Sequence, residues 1–280
     1  MAFNLQHPEI IDAVRRALAE DIGAGDLTSE ACIAADRRAT GRFFARQSLV
    51  LAGVELLPSI YELRGGVDDL ELLKKSGERA EDGDAIAAVR GRARTLLECE
   101  RVALNFMQRL SGIATLAREY CDAVSGTGCR VLDTRKTTPG LRTLEKLAAA
   151  AGGVTNHRIG LYDAILIKNN HIAAAGGVRA ALACVQDATV PVEIEVRTRA
   201  ELDEALAGGA KRVLLDNLTP AQAAEEIRYI AGRATVELSG EITLENVRAY
   251  AETGADFVSC GAITHSAPAA NLNFRLELCR

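Results

Sequence analysis

The run Asp133-Thr134-Arg135-Lys136-Thr137-Thr138-Pro139-Gly140-Leu141-Arg142 sets two adjacent cations among hydroxyl side chains and a turn-forming Pro-Gly pair. Fixed cations with hydroxyl donors suit an anionic ligand, either phosphate or carboxylate. The run follows an apolar segment, Cys129 to Leu132, and precedes a helix-like one, Leu141 to Ala151. Neighbouring side chains on a strand face opposite ways, so Arg135 and Lys136 meet one ligand only where the strand has ended. An isolated Arg-Lys pair is more often a solvated turn.

Other chemistry-bearing residues occupy the same kind of place. Lys168 follows the apolar run Ala164 to Ile167, with His157 and Arg158 just ahead of it. Glu193 and Glu195 lie two apart on one run, which puts them on one face. Asp216-Asn217, Ser239-Gly240 and Gly261-Ala262 end three further runs. Each has a plainer reading: Lys168 as a surface lysine, Asp216-Asn217 as a cap for the helix after Pro220, the glycines as turns. Together they gather several cations, carboxylates and small-residue loops. Several cations in one cavity are costly unless a highly charged anion shares it, and small residues let main-chain N–H groups approach a phosphate. Carboxylates in such a place imply Mg²⁺ or ribose hydroxyls. A sugar phosphate carrying pyrophosphate, with a small polycarboxylate, satisfies every group. The sequence has no Walker loop, no dinucleotide-binding glycine fingerprint and no serine nucleophile elbow.

The elements that must position these groups fall into two halves. From Pro8 to about Gly112 the pattern is irregular α+β: a helix starting near Pro8, a loop over Asp21 to Ser29, strands near Thr40 to Ala45 and Ala85 to Val89, and a long helix from Thr95 to about Ala123, bent near Ser111-Gly112. The second half repeats. Six apolar runs (129–132, 164–167, 190–196, 212–215, 235–238, 256–260) alternate with helix-like runs such as 178–186, 199–207, 221–230 and 244–251. That alternation predicts βαβ crossovers and a parallel sheet. Six units fall short of a closed barrel, so an α/β fold with an incomplete, open barrel is expected, a doubly wound open sheet being the alternative. In such barrels the reacting groups sit at the carboxyl ends of the strands.

Composition narrows the classes. The 280 residues are 48% hydrophobic and 25% charged, as in a soluble globular protein. A net charge of −5 argues against a nucleic-acid surface. No run approaches a membrane helix in length, and Met1 to Ile10 has no signal-peptide pattern. Seven cysteines without a Cys-x-x-Cys pair read as reduced thiols of a cytosolic protein.

The chain resembles the quinolinate phosphoribosyltransferase family. The likeness is carried by Glu20 to Ser29, Glu100 to Phe106, Leu110 to Thr115, Asp133 to Arg142, Asn156-His157-Arg158, Lys168-Asn169-Asn170-His171, Glu193 to Val196, Leu214 to Asn217 and Glu237 to Gly240. It departs at Glu241, where the family often has a small residue. The resemblance implies an N-terminal α/β sandwich over residues 1–112, rejoined by 271–280, and an open α/β barrel over 113–270. It implies a cytoplasmic homodimer with shared active sites, with hexamers as a further form, and Mg²⁺ brought mainly by the pyrophosphate substrate. It implies catalysis by Arg135, Lys136, Lys168, Glu195 and Asp216. Thr134, Arg135, Lys136, His157, Arg158 and Lys168 would bind quinolinate and phosphates, Glu195 and Asp216 would hold ribose and Mg²⁺, and Ser239, Gly240, Gly261 and Ala262 would cradle the 5′-phosphate. Arg101 would reach across the dimer.

Three rivals use the same residues. A molybdenum-transport-associated homologue would keep the fold and change the acceptor, and the full set of cations argues for quinolinate. A Schiff-base lyase would need Lys168 or Lys136 desolvated. A metabolite sensor would have no need of both Glu195 and Asp216.

Overall fold

The computed structural model describes residues 7–279, so most of the stretch read for a signal peptide lies outside the described residues. In chain order come α1 (Pro8–Ile22), α2 (Leu27–Cys32), β1 (Arg38–Ala45), β2 (Leu49–Val50), α3 (Leu57–Glu62), β3 (Asp69–Leu72), β4 (Arg79–Ala80) and β5 (Ala85–Arg92). The long α4 (Ala93–Ala123) leads to β6 (Arg130–Leu132), α5 (Arg142–Ala151), β7 (Ile165–Ile167), α6 (Asn169–Ala175) and α7 (Val178–Ala183). Then follow β8 (Val192–Val196), α8 (Arg199–Ala207), β9 (Arg212–Asp216), α9 (Pro220–Ile230), β10 (Thr235–Ser239), α10 (Val247–Ala251), β11 (Phe257–Ser259), α11 (Ala262–His265) and β12 (Leu272–Leu278).

Two compact units result. One holds the chain up to Arg118, Thr137–Gly153 and the end from Thr264; the other holds Glu119–Lys136 and Val154–Ile263. The first is built on an antiparallel sheet in the order β12-β1-β5-β3. Phe43 on β1 opposes Phe274 on β12, with ring centroids 4.7 Å apart. Gly41 is required beside them, because a Cβ there would come within 2.1 Å of the Phe274 ring. Helical hydrogen bonding in α4 is continuous through Ser111-Gly112, where a bend was expected. Gly112 answers to packing: a Cβ would lie 1.9 Å from the carbonyl oxygen of Pro268.

The second unit is a six-stranded parallel sheet in the order β7-β8-β9-β10-β11-β6. The apolar runs form its strands because both faces of such a sheet are covered: Ile194, Val213, Val236 and Val258 are all buried. The sheet does not close into a barrel, although a single parallel bridge joins Leu132 to Thr155. Among the described residues no helix is long and apolar enough to cross a membrane.

Candidate active site

β6 stops at Leu132, and the buried carboxylate of Asp133 turns the chain. It accepts the main-chain N–H of His157 and the side-chain amide of Asn156, each at 2.7 Å. Thr134 Oγ1 accepts the N–H of Lys136 at 3.1 Å, a tight turn that leaves Arg135 half-buried and Lys136 exposed. Arg158 donates to the carbonyl of Ala164 at 3.2 Å. Its pKa is depressed, first by burial and then by the neighbouring charge of Arg135. A partly desolvated guanidinium that also feels the charge of a second one is stabilised by an anion bound near both. Downstream, Asp163 accepts the N–H groups of Ile159 and Gly160 at 2.7 and 2.9 Å and so shapes the Arg158 loop.

At the end of β7, Lys168 Nζ lies 3.5 Å from the buried Glu195, whose other oxygen accepts Asn169 Nδ2 at 2.7 Å. Lys168 also donates its main-chain N–H to His171 Nδ1 at 2.9 Å, which fixes the first turn of α6. Neither Lys168 nor Lys136 is buried, so neither has the desolvated setting a Schiff-base lysine needs.

At the ends of β9 and β10, Asp216 accepts Ser239 Oγ at 2.6 Å and Asn217 Nδ2 at 2.7 Å. Asn217 has a left-handed backbone (φ 57°) and donates its N–H to the Ser239 carbonyl at 2.9 Å. Gly240 must be glycine, with φ 102° and only 2.2 Å between a would-be Cβ and Asn217 Oδ1. Glu241 also adopts a left-handed conformation, φ 48°, a strain of about 1–2 kcal/mol for a residue with a Cβ. Gly261 and Ala262 form the junction of β11 with α11.

Beneath these groups lies a charge cluster that sequence reading did not assemble. His157 Nε2 is 3.2 Å from Glu193 and 3.5 Å from Glu237. Arg212 bridges the same two carboxylates, Nε to Glu193 at 2.8 Å and Nη2 to Glu237 at 2.5 Å. Burial, reinforced by the charge of Glu193, pushes Glu237 up to about 7. Glu193 stays below the usual range despite burial, because His157 and Arg212 hold its charged form. His157, Glu193 and Glu237 have the mutual spacing of metal ligands, but the guanidinium of Arg212 takes both carboxylates. Period-two alternation was the missed signal: Arg212 shares a strand face with Asp216, and Glu237 with Ser239.

Thr134, Arg135, Lys136, His157, Arg158, Lys168, Glu195, Asp216, Ser239, Gly240, Gly261 and Ala262 thus all belong to the parallel-sheet unit. Arg101 belongs to the other unit and is exposed on α4. Two side chains have partners that sequence reading did not foresee: Ser239 gives its hydroxyl to Asp216, and both ring nitrogens of His157 meet protein groups.

Residues 26–111 match the family described as quinolinate phosphoribosyl transferase, N-terminal domain, and residues 113–275 its C-terminal domain. The chain is 42% identical over 263 residues to nicotinate-nucleotide pyrophosphorylase [carboxylating] of Mycobacterium leprae, covering 91% of this chain and 93% of that one. It is 38% identical over 277 residues to the probable enzyme of the same name from Bacillus subtilis, covering 98% and 96%. The crystal structure of NadC from Streptococcus pyogenes superposes with a TM-score of 0.92 at 38% identity, covering 97% of this chain and 98% of that one.

Proposed function

This chain belongs to the quinolinate phosphoribosyltransferase family, and from that premise we propose that it joins quinolinate to phosphoribosyl pyrophosphate. The products are nicotinate mononucleotide, pyrophosphate and CO₂, a step of NAD biosynthesis. The observation that carries the reading is the gathering of half-buried Arg135 and Arg158 in the unit that also holds Lys168, Glu195 and Asp216. Relatives of this similarity are named for this reaction and not for molybdenum transport.

The chemistry asks mainly for charge and position. Departure of pyrophosphate leaves an oxocarbenium-like ribose, so the site must neutralise the leaving anion and aim the ring nitrogen at C1. Arg135, Arg158 and Lys136 suit the two carboxylates of quinolinate and the phosphates. Thr134 shapes the turn that presents them, through its bond to the Lys136 N–H. Lys168 beside Glu195, and Asp216 beside Ser239, suit the ribose hydroxyls. Gly240, Gly261 and Ala262 leave room for the 5′-phosphate to approach the main chain. Ribosylation makes the ring nitrogen cationic, and its charge stabilises the electron pair left on C2 as the adjacent carboxylate leaves as CO₂; C2 then takes a proton from solvent.

Mg²⁺ would enter with the pyrophosphate. Glu195 and Asp216 fit that role, being the carboxylates at the strand ends, yet each already accepts protein donors, which suits contact through water more than a closed cage. Bound there, the ion would offset charge on the leaving group. The enzyme works in the cytoplasm as a homodimer in which Arg101 serves the partner subunit's site, with a hexamer of three such dimers as the larger form. Release of pyrophosphate and CO₂ dependent on quinolinate, phosphoribosyl pyrophosphate and Mg²⁺ tests the reading. A chain that stays idle on quinolinate but turns over another acceptor overturns it.

A further inference from the structure

The ring of His157 is spoken for at both nitrogens. Nδ1 accepts the main-chain N–H of Arg158 at 2.7 Å, so it carries no proton. Nε2 must then carry one, and it points at Glu193 and Glu237. The pattern assigns the Nε2–H tautomer. In this form the imidazole offers no nitrogen to a substrate. It acts on Arg158, whose main chain it steers.

What holds the tautomer is the pair of acceptors below it. Glu193 and Glu237 are both buried, and two adjacent carboxylates in a low-dielectric site are costly without a counter-charge. Arg212 supplies it from the start of β9, gripping one oxygen of each. Its guanidinium carbon lies 4.7 Å from the Phe257 ring centroid, a stacked contact that limits where the fork can go. Asp133, which holds the His157 N–H, and Arg158, whose own N–H meets Nδ1, are further charged residues bonded to His157.

We propose that Arg212, away from the strand-end groups assigned to substrate, is a positioning residue: by clamping Glu193 and Glu237 it fixes the His157 tautomer and, through Nδ1, the direction of Arg158. The kinetic part rests on the function proposed above; the tautomer part does not. Removing the clamp draws a proton onto the cluster: on Glu237 it would donate to Nε2 and shift the ring proton to Nδ1, and on the imidazole it would occupy both nitrogens. A proton on Nδ1 would face the Arg158 N–H donor to donor and turn the Arg158 main chain away.

Long-range ¹H–¹⁵N correlation of the imidazoles in the full chain tests this. With four histidines in the sequence, His157 is assigned by the signal lost in His157→Gln. Wild type should show the Nε2–H pattern. Arg212→Met should shift it to a mixed or doubly protonated pattern and raise the quinolinate KM about tenfold, the size of one misaligned charged contact. Arg212→Lys, which keeps charge without the fork, should fall between the two and serves alone if Arg212→Met does not fold. An Nδ1–H pattern in wild type, or a His157 signal unchanged in a folded Arg212 variant, overturns the proposal. Loss of all quinolinate activity in wild type with the expected tautomer would sink the proposed reaction and leave the clamp standing.

Discussion

The carboxylate of Asp133 accepts the main-chain N–H of His157 at 2.7 Å and so ties the end of β6 to the segment that leads into β7. Those two strands are the outer edges of the parallel sheet. Asp133 is buried, and Asn156 binds its second oxygen. An alanine would leave buried donors without an acceptor, at roughly 1–3 kcal/mol each. Asp133→Ala should therefore lower unfolding stability in urea by about 3 kcal/mol and loosen anion binding with it. An unchanged urea midpoint would rule out this tie as a structural anchor.

Arg135→Ala and Lys136→Ala remove charge from a partly open site and no apolar core. Each should cost roughly 2.7–4 kcal/mol of transition-state stabilisation, a fall of about 10²–10³ in turnover, with the melting temperature held. Wild-type turnover in either folded variant removes that residue from the site.

Much of this site was legible in the sequence because chemistry-bearing residues followed short apolar runs. Lys168, Asp216 and Ser239 could be placed at strand ends from that pattern alone. The six strands were legible for the same reason, since each apolar run of a parallel sheet is buried on both faces. The Arg212 clamp was not: alternation shows which face Arg212 and Glu237 share with the strand-end groups, but the first residue of β9 meets Glu193 of β8 and the mid-strand Glu237 of β10 only once the strands are set side by side. The role of Gly112 was not legible for a related reason: only the approach of Pro268 shows what its missing side chain makes room for.

Glu237 gives a pH signature. Its folded pKa, about 7, lies above that of an exposed glutamate because burial and Glu193 disfavour its charge. Its contribution to stability is thus complete below the unfolded value, about 4.3, and is lost as pH rises through about 7. Glu193, shifted downward, behaves oppositely and is lost as pH falls. Glu237→Gln cannot ionise, so it should gain on wild type by about 1.4 kcal/mol for each pH unit between about pH 4.5 and 7. Parallel stability curves for the two proteins across that range would contradict the assignment.

Arg101 tests the shared site. It is exposed on α4, and a planar fork suits a carboxylate of substrate bound by a second copy of the chain. Arg101→Ala and Lys168→Ala homodimers should both be nearly inactive. Mixed equally, half the dimers are hybrids with one intact site of two, so about a quarter of wild-type activity should return. No recovery after confirmed subunit exchange would place Arg101 outside the partner's site.

In the proposed reaction, ribosylation of the ring nitrogen precedes and enables loss of the adjacent carboxylate. Quinolinate carrying ¹³C only in its 2-carboxyl group tests that order most directly, with CO₂ and pyrophosphate counted in one reaction. All the label should leave as CO₂, one per pyrophosphate, and none should leave without phosphoribosyl pyrophosphate. Label retained in the nucleotide product, or labelled CO₂ released from quinolinate alone, would contradict it.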